Sequence, residues 1–231
     1  MTVRISCQTL QLPPPFAYAY TLSLHIESQK LTVEFHLEYL NRDTLQEEEI
    51  LEEGFSPEEH FHWQGTLGND WIKVLKRDLD RESLTDNHDP MNLYIHMEIG
   101  SRKGMVSDED FWDFRLQEII QAIYEGAGYE RELAIKLLLL ENGSKKTYEL
   151  SASFRERHCQ VNNQPLHWEE MQELMRELFS LESSEEFIKN PSIDGLWIDQ
   201  DGQSGYQKIE LTEGLRGIKA KPKILKILSK Y

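Results

Sequence analysis

The stretch that decides the fold is "FAYAYTLSLHIESQKLTVEFHLEYL", residues 16–40, in which apolar and polar residues alternate twice. Alternation of this kind is typical of a β-strand with one buried face, since successive side chains point to opposite faces. A hairpin with Glu27 opposite Lys30 brings every apolar residue to one face, in the pairs Ile26–Leu31, Leu24–Val33, Leu22–Phe35 and Tyr20–Leu37. A slip of one residue would place each apolar side chain opposite a polar one, so the sequence specifies this register.

A second hairpin is predicted in residues 131–154, where Asn142-Gly143 is the favoured pair for a type I′ turn. That turn sets Leu137 opposite Tyr148, Ile135 opposite Leu150 and Lys136 opposite Glu149. Matched apolar and charged pairs across the strands support the same register. Other strands are predicted at 1–10, 60–67, 91–99 and 157–161, with a last hairpin at 193–211.

Three segments have the apolar spacing of helices: 69–82, 107–126 and 167–181. For the first we expect Asn69 or Asp70 as the N-cap, and for the second a start at Ser107 and an end at Gly126. The acidic run at 44–54 fits either a short helix or an exposed strand, and we favour the strand. The basic C-terminal tail is predicted to be helical after Pro222.

These elements predict an α+β fold, mainly antiparallel β-sheet from several hairpins with about three amphipathic helices packed on it. Each half of the chain has a hairpin, a short strand with a histidine (His60, His158) and a helix that opens with tryptophan (Trp71, Trp168). We therefore expect two similar β-rich halves, residues 1–100 and 101–231, the second carrying the basic tail. One compact domain is the alternative.

The net charge of the 231-residue chain is −16, from 25 lysines and arginines against 41 aspartates and glutamates. Such an acidic surface repels phosphate groups, so we expect no nucleic-acid or anionic-membrane binding by the surface as a whole. The N-terminus does not resemble a signal peptide, and the most apolar stretch, residues 133–140, is too short to span a bilayer. With only two cysteines, these features predict a cytoplasmic protein without a membrane span.

The stretch "SPEEHFHWQG", residues 56–65, contains a histidine pair that an extended strand would place on one face. A metal site needs three or four ligands, usually from separate segments. The candidate ligands are His60, His62, His96 and Glu98, with His88 and Asp89 as a second source. A solvated strand face is the alternative interpretation, in which Phe61 and Trp63 anchor the other side of the strand to the core.

Two further motifs carry weaker predictions. Residues 199–210 match four positions of a calcium-loop template, but they lack its glycine at position 6 and its flanking helices, which favours a hairpin turn. Residues 100–110 place a basic glycine-rich loop before a helix, but they lack the phosphate-binding pattern and carry three carboxylates that would repel phosphate.

The last sixteen residues contain only basic charged side chains, on a short amphipathic segment. This tail could contact a nucleic acid, a membrane surface or an acidic partner, or it could pack on the chain's own acidic surface. The candidate partner-binding residues are Lys219, Lys221, Lys223, Lys226 and Lys230.

Three functions follow as hypotheses. The leading one is a non-catalytic interaction or scaffold protein that binds a protein partner or itself, with no cofactor. The first alternative is a metal-binding protein or metal-dependent enzyme centred on His60 and His62. The second alternative is a nucleic-acid-associated module that acts through the tail, which the acidic composition makes unfavourable.

Overall fold

The computed structural model describes residues 1–87, 93–202, 204–209 and 214–231, with the backbone alone for residues 214–218. The chain forms two compact units. Unit 1 comprises Met1–Glu130 with Phe154–Glu156, and unit 2 comprises Arg131–Ser153 with Arg157–Tyr231. No helix within the described ranges combines the length and the apolarity needed to cross a bilayer.

Unit 1 contains a six-stranded antiparallel sheet in the order β4-β3-β2-β1-β5-β6. Its strands are β1 (Thr2–Gln8), β2 (Tyr18–Ile26), β3 (Leu31–Tyr39), β4 (Phe61–Leu67), β5 (Tyr94–Ile99) and β6 (Arg102–Met105). Its helices are α1 (Glu47–Glu52), α2 (Asn69–Arg81) and α3 (Glu109–Ala127), with a 3-10 turn at Arg42–Thr44. The apolar face of the sheet forms one core with Leu75 and Leu79 of α2 and with Trp112 and Ile119 of α3.

Unit 2 contains a second six-stranded antiparallel sheet, in the order β10-β9-β8-β7-β11-β12. Its strands are β7 (Leu133–Glu141), β8 (Ser144–Ser153), β9 (His158–Val161), β10 (Gln164–Pro165), β11 (Gly195–Asp199) and β12 (Gln207–Ile209). Its helices are α4 (Trp168–Phe179) and α5 (Gly214–Leu228). The two helices bury their apolar stripes, Met171, Leu174 and Leu178 of α4 and Ile224, Ile227 and Leu228 of α5.

The two hairpin registers predicted from the sequence are confirmed. In β2–β3, Leu24 lies opposite Val33 and Leu22 opposite Phe35. In β7–β8, Leu137 lies opposite Tyr148, and both residues of the Asn142-Gly143 turn have positive φ, 50° and 77°. Asparagine and glycine tolerate this left-handed conformation, which is why the pair sets a two-residue turn.

The α+β prediction with two similar halves is also confirmed, because both sheets have the same strand order. In each unit a helix follows the fourth strand, and a second helix follows the sixth strand. Trp71 and Trp168 open the equivalent helices α2 and α4. His60 and His158 are not equivalent, because β4 is the fourth strand of its sheet and β9 is the third. The units divide at Glu130, later than residue 100, because α3 packs on the first sheet.

The acidic run is a helix, so the predicted strand is wrong. Gln46 donates its backbone N–H to the Glu49 carboxylate at 2.8 Å, and Ile50 is buried. This contact satisfies a free backbone donor at the helix N-terminus, and three glutamates in the first turn interact favourably with the helix dipole.

Four helix boundaries also differ from the predictions. Gly68 precedes α2 as its N-cap, and Asp108 rather than Ser107 caps α3, accepting a hydrogen bond from Phe111 N at 3.0 Å. Gly126 lies inside α3, and Gly128, with φ of 78°, ends it. Helix α5 begins well before Pro222 and includes it, because buried Ala220 and Ile224 on either side hold the segment by packing.

Candidate functional site

The predicted metal ligands lie on two strands that are far apart in the first sheet. His60 is exposed just before β4, and His62 lies opposite His36 of β3, with its Nε2 3.6 Å from Glu34 Oε1. His96 and Glu98 lie on β5, which is separated from β4 by β3, β2 and β1. Four strand spacings of about 4.8 Å place the two strands about 19 Å apart.

The structure therefore does not bring His60, His62, His96 and Glu98 together. Among the residues that it describes, no three His, Cys, Asp or Glu side chains form a group that could hold a metal ion. His88 and Asp89, the second predicted source, lie outside the described residues. The hairpin predicted at residues 193–211 is formed by β11 and β12, which pair antiparallel. Residues 203 and 210, which correspond to positions 5 and 12 of the calcium-loop template, lie outside the described part of the chain.

The basic tail packs on α4 of its own unit. The Lys223 ammonium is 2.5 Å from Glu177 Oε1, and Lys230 donates to the Glu170 carboxylate. Lys221 lines a pocket of about 360 Å³ together with Lys208, Glu141 and Asp194. Lys219 and Lys226 are exposed. Two of the five predicted partner-binding lysines are thus engaged by the chain's own carboxylates.

Both cysteines are unsuited to nucleophilic chemistry. Cys7 and Cys159 are buried, free thiols. Burial raises the pKa of each thiol to about 11, so the thiolate that would act as a nucleophile is not formed near neutral pH.

A cleft between the first sheet and α3 concentrates the polar aromatic side chains of unit 1. We call it the tyrosine cleft, and its volume is about 180 Å³. Its lining residues come from two strands and one helix: Tyr18 and Tyr20 of β2, Phe35, Leu37 and Tyr39 of β3, and Gln117, Ile120 and Tyr124 of α3. Strand alternation places the β2 and β3 residues on the helix-facing side, with Tyr18 directly opposite Tyr39. On α3, Gln117, Ile120 and Tyr124 recur at helical spacing and share one face.

The rings of the cleft pack at aromatic contact distances. Tyr18 and Tyr20 stack with ring centroids 6.3 Å apart, and Tyr20 lies 5.4 Å from Phe35. Tyr124 lies 5.0 Å from Phe61 of β4. Rings held on two sides by such contacts form a preformed wall, since each contact restricts the neighbouring side chain.

The hydroxyl of Tyr20 is the one feature of the cleft that packing alone does not explain. Tyr20 is only 3% exposed, and among the described residues its hydroxyl pairs only with the Cys7 thiol, a weak hydrogen-bonding group whose contact falls outside normal geometry. Buried polar groups are nearly always hydrogen-bonded, because an unpaired hydroxyl loses its bond to water without replacement.

Tyr18, Tyr20 and Tyr124 of the cleft remain protonated at neutral pH. Burial raises the pKa of Tyr18, Tyr20 and Tyr124 above the ordinary value of 10.0. The charge of Asp113 raises the pKa of Tyr18 and Tyr20 further, and a hydrogen bond with Gln117 lowers that of Tyr18. These groups therefore act as neutral hydrogen-bond donors and acceptors.

A buried arginine supports one edge of the cleft. The Arg42 guanidinium carbon lies 3.6 Å from the centroid of the Tyr39 ring and 4.7 Å from that of Phe55. Arg42 also donates to the Pro15 carbonyl at 3.1 Å and to the Glu59 carboxylate at 3.1 Å. These bonds fix the position of Tyr39, and Glu59 balances the arginine charge.

The sequence predicted that the hairpin tyrosines face the core, but it gave them no role beyond packing. The available signal was Tyr18 opposite Tyr39, at one end of a hairpin whose other inward pairs each contain an aliphatic residue. The contribution of Tyr124 from α3 could not be predicted, because it depends on how the helix lies on the sheet. Comparisons of the chain with protein-family models, with curated proteins and with solved structures gave no match.

Proposed function

We propose that the protein is a non-catalytic interaction protein whose binding site is the tyrosine cleft of unit 1. The observation that carries the proposal is an open cleft lined by four tyrosines, one of which, Tyr20, has a buried hydroxyl that pairs with no described group other than the weakly bonding Cys7 thiol. A bound group that accepts or donates a hydrogen bond there would satisfy the hydroxyl.

Two properties of the cleft support binding rather than chemistry. Burial raises the pKa of Tyr18, Tyr20 and Tyr124, so these groups are poor bases and nucleophiles at neutral pH. Its volume of about 180 Å³ is slightly above that of an apolar cavity that holds one benzene molecule. The cleft therefore suits a ring-sized group with one polar end.

The occupant that we propose is a small group, either free or presented by a protein partner or a second copy of the chain. The two free, buried thiols fit the reducing cytoplasm in which we place the protein.

The proposal is tested by NMR on the full chain with ¹³C-labelled tyrosine rings, screened against a library of ring-sized fragments that carry one hydroxyl, carbonyl or ammonium group. We expect the shifts caused by binding fragments to centre on Tyr18, Tyr20, Tyr39 and Tyr124. Gln117→Trp should abolish them, because Gln117 is exposed and an indole at that position can fill the cleft without disturbing the core. Phe114→Trp, an exposed position on the same helix outside the cleft, is the matched control.

The variant Tyr20→Phe removes the hydroxyl and keeps the aromatic ring, so it measures the contribution of the hydroxyl alone. Because the Cys7 thiol bonds the hydroxyl only weakly, removing the hydroxyl should leave the free energy of unfolding almost unchanged, while fragment binding weakens. A Tyr20→Phe variant that is destabilised by more than about 1 kcal/mol would show that the hydroxyl is satisfied within the fold. Fragments that bind elsewhere, or none that bind, would overturn the proposal.

A further inference from the structure

We infer that the group bound by the tyrosine cleft is an alkylated ammonium cation, such as the trimethylammonium head of a small molecule or of a modified lysine side chain. This inference rests on the proposed function and specifies the chemistry of its ligand. It depends on three observations: the ring content of the cleft, the carboxylates around it and the cation that the adjoining rings already hold.

The rings of the cleft have the composition of a cation-binding site. Four tyrosines and Phe35 line a volume that fits one compact group. The face of an aromatic ring is negative, so several rings around one site attract a cation, and alkyl groups on the cation gain by contact with the rings. A bare ammonium would lose more hydration than an alkylated one, which favours the alkylated form.

The charges around the cleft favour a cation over an anion. Asp113 precedes Gln117 by one helical turn on α3, on the face that lines the cleft, and Gln117 Nε2 lies 3.5 Å from its carboxylate. Glu130 and Glu59 act on Tyr124, where they add to the effect of burial in raising its pKa. Arg42 and Glu59 are paired at 3.1 Å and offset each other, which leaves Asp113 and Glu130 as the carboxylates in excess beside the cleft. The local excess of carboxylates would repel a phosphate or carboxylate ligand.

Aromatic rings beside the cleft already bind a cation that belongs to the protein itself. Arg42 is 4% exposed and its guanidinium lies against Tyr39 and Phe55, in a cation–π arrangement. Tyr39 belongs both to this arrangement and to the cleft. A cation therefore already lies against one of the tyrosines that line the cleft.

The test compares two ligands of the same shape, choline and its uncharged analogue 3,3-dimethylbutan-1-ol, by NMR titration of the full chain with labelled tyrosine rings. A third titration uses Nε-trimethyllysine amide, with unmodified lysine amide beside it, to separate a free ligand from a side-chain ligand. We expect a trimethylammonium ligand to bind at least about tenfold more tightly than the uncharged analogue, since a desolvated cation–π contact accounts for a difference of that size. Unmodified lysine amide should bind more weakly than the trimethylated form.

Asp113→Asn should weaken the binding of choline severalfold and leave the binding of the uncharged analogue unchanged. Asp70→Asn, an exposed position on α2, is the matched control. Equal or tighter binding of the uncharged analogue would overturn the inference while the proposed function stands, since the cleft would still bind a ring-sized group. Binding of neither ligand also overturns the inference, and the fragment screen decides the proposed function independently.

Discussion

Arg115 of α3 is the centre of a buried charge network that joins α3 to α2. Its side chain is 7% exposed; its Nε lies 2.9 Å from Asp78 Oδ2, and a second nitrogen donates to the Glu118 carboxylate. Asp78 and Glu118 are each 5% exposed. Arg115→Met keeps most of the side-chain volume but leaves both carboxylates buried without this cation.

The expected loss is large. Removing one partner of a buried ion pair costs about 3–5 kcal/mol, because the remaining charge stays out of water. Asp78 keeps a second partner, since Arg77 Nε lies 3.0 Å from its Oδ1, so we expect a loss of about 3–4 kcal/mol. That is a substantial fraction of the 5–15 kcal/mol that stabilises a typical domain.

The assay is urea unfolding of the full chain, followed by near-UV circular dichroism and by fluorescence. The matched control is Arg77→Met, which removes the exposed partner of the same aspartate and should cost about 1 kcal/mol or less. The variant Asp78→Leu/Arg115→Met/Glu118→Met removes all three charges and should recover most of the stability, since no unpaired charge remains.

A loss of less than about 1 kcal/mol for Arg115→Met, or an equal loss for Arg77→Met, would show that the buried charge pairing does not stabilise the contact between α2 and α3. A triple variant that is less stable than Arg115→Met would lead to the same conclusion. In that case the packing of the arginine stem, and not charge pairing, would determine the stability of this contact.

Three further predictions address a helix cap, a close contact and the thiols. Asp108→Ala should lower the unfolding free energy by about 1 kcal/mol, because it removes the acceptor for Phe111 N. The control Ser107→Ala should change the unfolding free energy by about 0.5 kcal/mol or less. Equal effects of the two variants in urea unfolding would contradict the assignment of Asp108 as the cap. Gly65→Ala would place a Cβ 2.3 Å from the Trp63 ring and force the indole to move. We therefore expect the unfolding free energy to fall by about 1–3 kcal/mol and the near-UV tryptophan spectrum to change, with Thr66→Ala as the control. An unchanged spectrum would contradict the close contact. Because the folded-state pKa of both cysteines is raised from 9.0 to about 11, the stability that the neutral thiols contribute is present below pH 9 and lost as the pH rises through 11. Accordingly, neither thiol should react with a disulfide reagent at pH 8 until urea unfolds the protein, and rapid labelling of the native protein would disprove their burial.

Both hairpins follow from local sequence alone. In residues 16–40 and 131–154 the side-chain period is two and the turn residues are local, so only one register buries all the apolar residues. The face of each strand followed from the same pattern, including the inward position of Tyr18, Tyr20 and Tyr39. The α+β class and the likeness of the two halves also followed, because they depend on the order of elements along the chain.

The helix ends and the short acidic helix depend on interactions that span only a few residues. For each of them the sequence also allows another local conformation of nearly equal free energy. Ser107 and Asp108 both offer a capping oxygen, and the structure uses the aspartate. Residues 44–54 have a pattern that fits a strand as well as a helix, and the contact from Gln46 N to Glu49 together with burial of Ile50 favours the helix. Such choices depend on small differences in free energy that composition does not show.

Only the tertiary structure decided which side chains meet. His62 and His96 both lie on strands of the first sheet, yet the strand order places three strands between them. Tyr124 is more than eighty residues from Tyr39, and the two line one cleft because α3 crosses the hairpin. The pairing order of strands and the placement of helices are set by the burial of the whole core, a long-range property, whereas strand register and face are set by neighbours along the chain.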